Sequence, residues 1–186
     1  MAQLLGETTD ANNYSRQMNK VKEGYNRCWN GYAYRHPEYN DCTDDRVQAL
    51  AVVSGIAEQD KYPYIIDLFK KQFYASPYME KYVMEALFVM GEGKYAMERM
   101  QKRFAPMVNH PFYTTLFEGW DIGPNGFGGG TVNHAWSGGP LIVIARYVCG
   151  IEPLDAAYKT FRIAPDDTYL HQAAITIPTI AGEIRS

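Results

Sequence analysis

The residues best suited to chemistry lie between positions 114 and 140. The run Thr114-Thr115-Leu116-Phe117-Glu118-Gly119-Trp120-Asp121 sets one carboxylate, Glu118, among aromatic rings and a second, Asp121, three residues later. Carboxylates beside aromatic rings suit general acid or base work. The structural alternative is a Glu satisfied by hydrogen bonds in a strand or turn. A second run, Thr131-Val132-Asn133-His134-Ala135-Trp136-Ser137-Gly138-Gly139-Pro140, gathers Asn, His, Trp and Ser where a helix begins. His134 could hydrogen-bond a ligand hydroxyl, and Trp136 could stack on a sugar ring. Alternatively, Asn133 and His134 cap the helix and Trp136 belongs to the core. Between the runs lies Gly123-Pro124-Asn125-Gly126-Phe127-Gly128-Gly129-Gly130. It fits neither G-x-x-x-x-G-K-[ST] nor G-x-G-x-x-G, so it reads as a connection that lets backbone approach a ligand.

Other arrangements carry less. His36, His110 and His171 are scattered without an H-x-x-x-H pair. Cys28, Cys42 and Cys149 are odd in number and lack a C-x-x-C spacing. Neither a metal site nor a disulfide framework is indicated, and no cofactor is expected. Cys28 and Cys149 sit in apolar helical patterns as small buried hydrophobes, and Cys42 lies in a loop. Asp41, Asp44 and Asp45 lack the spacing of an EF-hand loop and read as a solvated loop and helix cap. Ser54-Gly55 and Ser137-Gly138 form no nucleophile elbow.

The helices that must position these groups are legible from periodicity. Tyr14, Met18, Val21, Tyr25, Cys28 and Trp29 make one stripe of a helix over 11–29, with Asp10 as its cap. Asp44 or Asp45 caps a second, about 46–56, with Val47, Leu50, Ala51 and Ile56 inward. A third, about 63–74, begins with Pro63 in its first turn and buries Ile65, Ile66, Leu68, Phe69 and Phe73. Ser76-Pro77 starts a fourth, about 77–90, and Gly91 ends it. A fifth spans about 94–104 and is stopped by Pro106. After an aromatic, Thr-rich stretch, Asn133 caps a last helix over about 134–149, distorted near Gly138-Gly139-Pro140 and ended by Gly150. Beyond Pro153 the pattern turns strand-like over 158–163, 173–180 and 182–185. Short loops between helices indicate antiparallel helical hairpins.

The chain has 186 residues, a net charge of −3, 46% hydrophobic and 14% aromatic residues. That suffices for one core of ordinary size, or one core and part of a second. The charge excludes an ordinary phosphate-backbone binder, so no nucleic-acid partner is expected. No apolar run approaches the roughly 20 residues of a membrane span, so no membrane partner is expected either. The 15 tyrosines and 3 tryptophans fit either helix–helix seams or clefts for wet, ring-shaped ligands. The N-terminus lacks the basic and apolar regions of a signal peptide, and the chain begins as if partway through a helix.

The run from Thr115 to Asp121, then Asn133 to Pro140, then Arg146-Tyr147-Val148-Cys149-Gly150-Ile151, resembles the C-terminal part of bacterial α-L-rhamnosidases, glycoside hydrolase family 78. Asp45-Arg46-Val47-Gln48-Ala49-Leu50-Ala51 resembles a helix start in the same domain. Ala174-Ile175-Thr176-Ile177-Pro178-Thr179-Ile180-Ala181-Gly182-Glu183-Ile184 resembles the strand pair opening that family's C-terminal β-sandwich. The resemblance implies a mainly α chain: part of an (α/α)₆ six-hairpin barrel over 1–152, then the first strands of a β domain over 153–186. It implies an inverting glycosidase acting on terminal α-L-rhamnosyl residues, with a carbohydrate as partner. Glu118 would be the catalytic base, with His134, Trp120, Trp136, Asp121 and Asn133 around the sugar. Phe117 stands where Trp is usual, keeping an aromatic wall without an indole N–H.

The general acid is expected upstream of Met1, so the 186-residue chain alone is expected to hydrolyse an aryl rhamnoside little or not at all. Exposed half-barrel faces imply self-association. A six-hairpin glycosidase of other sugar specificity and a non-catalytic sugar-binding or interaction module remain as alternatives. The compartment is open, with a periplasmic or extracellular parent as one expectation.

Overall fold

Small polar caps and prolines start several helices of this chain, and left-handed glycines end several. In the computed structural model, which describes residues 1–122, 130–166 and 170–186, the helices are α1 (Thr8–Asn26), α2 (Asp45–Val53), α3 (Tyr62–Lys71), α4 (Pro77–Val89), α5 (Gly93–Val108) and α6 (Gly139–Val143). The strands are β1 (Ile151–Pro153), β2 (Phe161–Ile163), β3 (Thr176–Thr179) and β4 (Gly182–Arg185). The chain is thus mainly helical with two short antiparallel hairpins, β1–β2 and β3–β4. It divides into two units, Met1–Phe73 and Tyr74–Ser186. Among the described residues, no helix is long and apolar enough to cross a membrane. The glycine-rich stretch 123–129 lies outside the described residues.

In the first unit, α1 starts at Thr8 after Glu7, so Asp10 sits in the first turn and not at the cap. The helix ends at Asn26, and Cys28 and Trp29 follow it in a turn. Its stripe of Tyr14, Met18 and Val21 is exposed, and no residue of α1 is buried. Periodicity specifies an apolar face and says nothing of what covers it. Asp44 caps α2, its carboxylate accepting from Arg46 N at 2.8 Å. Asp45 is fully buried and not solvated. α2 turns only part of the expected face inward: Ala51 is buried as expected, but Gln48, Ala49 and Val52 are buried with it, whereas Leu50 is exposed. The cause is polar. Gln48 Oε1 accepts from Tyr34 N, and Gln48 Nε2 donates to Tyr34 O, both at 2.8 Å, so this side chain pairs with a buried backbone as a strand would. In α3, Ile65, Leu68 and Phe69 are buried, while Phe73 lies past the helix end and is exposed.

Tyr34 anchors this unit. Its ring is buried between Tyr25 and Trp29, and its hydroxyl donates to Asn26 Oδ1 at 2.8 Å. Burial, reinforced by Glu58, Asp60 and Tyr25, pushes its phenol up from 10.0 to about 12. A raised acid pKa means that the folded chain favours the neutral form. The contribution is complete below pH 10 and lost as pH rises through 12. Chemical denaturation across that window should show the wild-type chain losing about 1–2 kcal/mol more than Tyr34→Phe, after allowance for solvent screening. Parallel curves for the two proteins would contradict it.

In the second unit, Ser76 Oγ accepts from Met79 N at 3.3 Å and Pro77 opens α4. α4 and α5 are joined by Met90, Gly91 and Glu92 and pack on one another. α5 does not stop before Pro106 but contains it and runs to Val108. Met107, one turn beyond Phe104 and only 1% exposed, joins Met84, Met100, Phe104, Phe117 and Val143 in the core. That burial offsets the missing Pro106 N–H bond. The last helical segment is broken where Gly138-Gly139-Pro140 predicts distortion. A 3₁₀ turn over Ala135–Gly138 leads into α6, and a π turn over Ile144–Val148 follows. Its first cap position is His134 and not Asn133. Gly139 sits where an added Cβ would lie 2.6 Å from Lys81 Cβ, so α6 approaches α4 closely.

Candidate functional site

Two irregular segments of the second unit lie side by side. Glu118 N donates to Thr131 O at 2.9 Å, and His134 N donates to Leu116 O at 2.9 Å. The Thr115 hydroxyl donates to Val132 O, and Ser137 Oγ donates to Phe117 O at 2.6 Å. These bonds clamp the two runs singled out in the sequence and set the side chains of Glu118 and His134 together. Trp136 Nε1 donates to Glu118 O at 3.3 Å, which fixes the indole against the same segment.

The carboxylate is held through one oxygen. Glu118 Oε2 accepts from Thr131 N at 3.1 Å and from Thr131 Oγ1 at 3.4 Å, and lies 3.7 Å from His134 Nδ1. His134 Nδ1 is 2.8 Å from Thr131 Oγ1. The Glu118 side chain is 20% exposed and that of His134 32%, so both are reachable yet sheltered. The imidazole packs on Trp136 with centroids 4.3 Å apart. Trp136 in turn meets Tyr78 at 5.4 Å, and Tyr78 meets Tyr82 at 5.9 Å with hydroxyls 3.4 Å apart. That hydroxyl contact, with burial and nearby charge, pushes the Tyr82 phenol up. The result is a row of rings leading from the carboxylate along α4. Such a row offers apolar faces and polar edges to a sugar-like ring. Among the described residues, no group of three or more His, Cys, Asp or Glu side chains is placed to hold a metal ion.

No protein-family model and no curated protein matches this sequence. Among solved structures, the chain is similar to a glycoside hydrolase family 78 rhamnosidase of Bacillus sp. GL1, with a TM-score of 0.80 at 21% sequence identity. The chain has a GH78-like fold. The likeness covers 99% of this chain and 21% of that one, so the chain spans about a fifth of the rhamnosidase's length.

Within this GH78-like fold, the residues expected around the site fall into two groups. Glu118, His134 and Trp136 come together as described. Trp120 does not join them: its indole N–H donates to Ala75 O at 2.8 Å, and its ring packs on Phe104 and under the Arg103 guanidinium, 4.1 Å away. Phe117 is buried at 3% exposure in the core, against His110 and Tyr113, and walls no open cleft. Asp121 and Asn133 are exposed. Three contributors do not stand out as candidates in the sequence: Thr131, Tyr78 and Tyr82. Thr131 is recognisable only from its place, three residues before His134 and next to the glycine run. Tyr78 and Tyr82 share a helix face at i,i+4 in the first turns of α4.

Proposed function

We propose that this chain forms part of the catalytic domain of an α-L-rhamnosidase-like glycosidase built on an (α/α)₆ barrel, with Glu118 as the base. The observation that carries this reading is the mode of holding the carboxylate. Oε2 is occupied by Thr131 N and Oγ1 and lies 3.7 Å from His134 Nδ1, and among the described residues Oε1 has no hydrogen-bond partner. Inverting hydrolysis needs one carboxylate to take a proton from water on one face of the sugar and one carboxylic acid to protonate the leaving oxygen on the other. A carboxylate anchored through one oxygen, with the other unbonded among the described residues, fits the first role. His134 and Trp136 supply a polar contact and an apolar face for the rhamnosyl ring. The GH78-like fold supports the choice of sugar.

The test is Glu118→Gln in a polypeptide that carries these residues together with the acid. Turnover of an aryl α-L-rhamnoside should fall by about 10²–10⁴-fold with KM little changed, because the amide keeps the shape and cannot accept the proton. Rhamnose binding should survive the substitution. An unchanged kcat rejects the assignment.

A further inference from the structure

The Thr131 hydroxyl stands between two groups that can each use its single proton. Thr131 Oγ1 is 2.8 Å from His134 Nδ1 and 3.4 Å from Glu118 Oε2, and these last two are 3.7 Å apart. Two proton arrangements satisfy the shorter contact. In the first, Nδ1 is bare and Thr131 donates to it. The hydroxyl oxygen then turns a lone pair on an ionised carboxylate oxygen with no proton between them. In the second, Nδ1–H donates to Oγ1, and Oγ1–H donates to Oε2. Every contact is then donor to acceptor, and the Nδ1–H dipole points toward the carboxylate. Hydrogen bonds to an ionised acceptor are the stronger kind, so the second arrangement wins. The Thr131 backbone N–H, 3.1 Å from the same Oε2, holds the carboxylate in register for it.

We propose that Thr131 is a positioning residue that locks neutral His134 as its Nδ1–H tautomer and tethers Glu118 by Oε2. The imidazole then presents Nε2 as a hydrogen-bond acceptor, so the ligand group it selects is a donor such as a sugar hydroxyl. The carboxylate presents Oε1 to water. The role in turnover rests on the reading of Glu118 as base; the tautomer does not.

Long-range ¹H–¹⁵N correlation of the imidazoles tests this in the 186-residue chain. The pH is set about two units above the ordinary imidazole pKa, so that the rings are neutral. His134 is assigned by the signal lost in His134→Gln. The expected result is Nδ1–H in the wild type and in Thr131→Ser, which keeps the hydroxyl. Thr131→Val keeps the backbone N–H but not the hydroxyl, and should move the ring toward Nε2–H. A wild-type ring protonated on Nε2 overturns the proposal whether or not the variant folds, as does an Nδ1–H tautomer that persists in Thr131→Val. An Nδ1–H ring combined with an unchanged kcat in Glu118→Gln would keep the tether and discard only the catalytic role.

Discussion

Replacing Glu80 by Ala should lower the unfolding free energy by about 3–5 kcal/mol, among the largest effects available to a single substitution here. Glu80 on α4 has no exposed surface, and neither does the Arg99 side chain on α5 that grips it. Arg99 Nε donates to Oε1 at 2.5 Å and Arg99 Nη2 to Oε2 at 3.1 Å, a two-pronged bond between helices. Arg103, one turn further along α5, donates to Oε2 at 2.6 Å. One carboxylate therefore serves two guanidinium groups. Removing it takes from both guanidinium groups the buried carboxylate they share, and burial makes that loss costly. Glu80→Gln, which keeps shape and an acceptor, should lose less than Glu80→Ala. Urea denaturation measures both. A loss under about 1 kcal/mol for Ala would mean that water reaches the cluster and screens it.

Gly150→Ala should cost about 3–5 kcal/mol, for two separable reasons. Gly150 ends the last helical segment with φ +66°, in the left-handed region that disfavours a Cβ. The added Cβ would also stand 2.0 Å from the carbonyl carbon and oxygen of Ala164 and 2.5 Å from Pro165 N. Those atoms are backbone and cannot swing aside as a side chain could. The crossing chain is tied there by Ala164 N donating to Gly150 O at 3.0 Å and Asp166 N donating to Val148 O at 3.1 Å. Gly91 provides the internal control. It has φ +82° and nothing within 4 Å of its would-be Cβ, so Gly91→Ala should cost only the conformational part, about 1–2 kcal/mol. Equal losses at the two glycines in thermal or urea unfolding would remove the close-contact explanation.

Local signals read well in this sequence. Ser76-Pro77 and Gly91 bracket α4 because capping and left-handed termination depend on neighbouring backbone alone. The misreadings have tertiary causes. Pro106 was expected to end α5, yet the core holds Met107 in helical geometry. Gln48, a polar residue, decides which face of α2 turns inward, and a count of apolar positions cannot show that. The same division runs through the site. Glu118 and His134 are legible as residue types in neighbouring runs. The sequence sets Trp120 beside them, but residues 118–120 bend and do not alternate as a strand, so its ring turns to Phe104 and Ala75. Thr131 acts through a backbone N–H and a hydroxyl, groups too common to stand out before the fold places them. The Glu80–Arg99–Arg103 cluster is likewise illegible in the sequence, since charged residues at those spacings look like solvated helix faces.

The exposed stripe of α1 separates two energy scales in one chain. Helix α1 spans 19 residues without burying one of them, while α4 buries seven of its 13. An isolated helix of that length is only marginally stable in water, because tertiary packing normally supplies most of a helix's stability. The amide protons in the middle of α1 should therefore exchange with solvent through local opening, on a far shorter clock than those of α4, whose release requires the core of its unit to come apart.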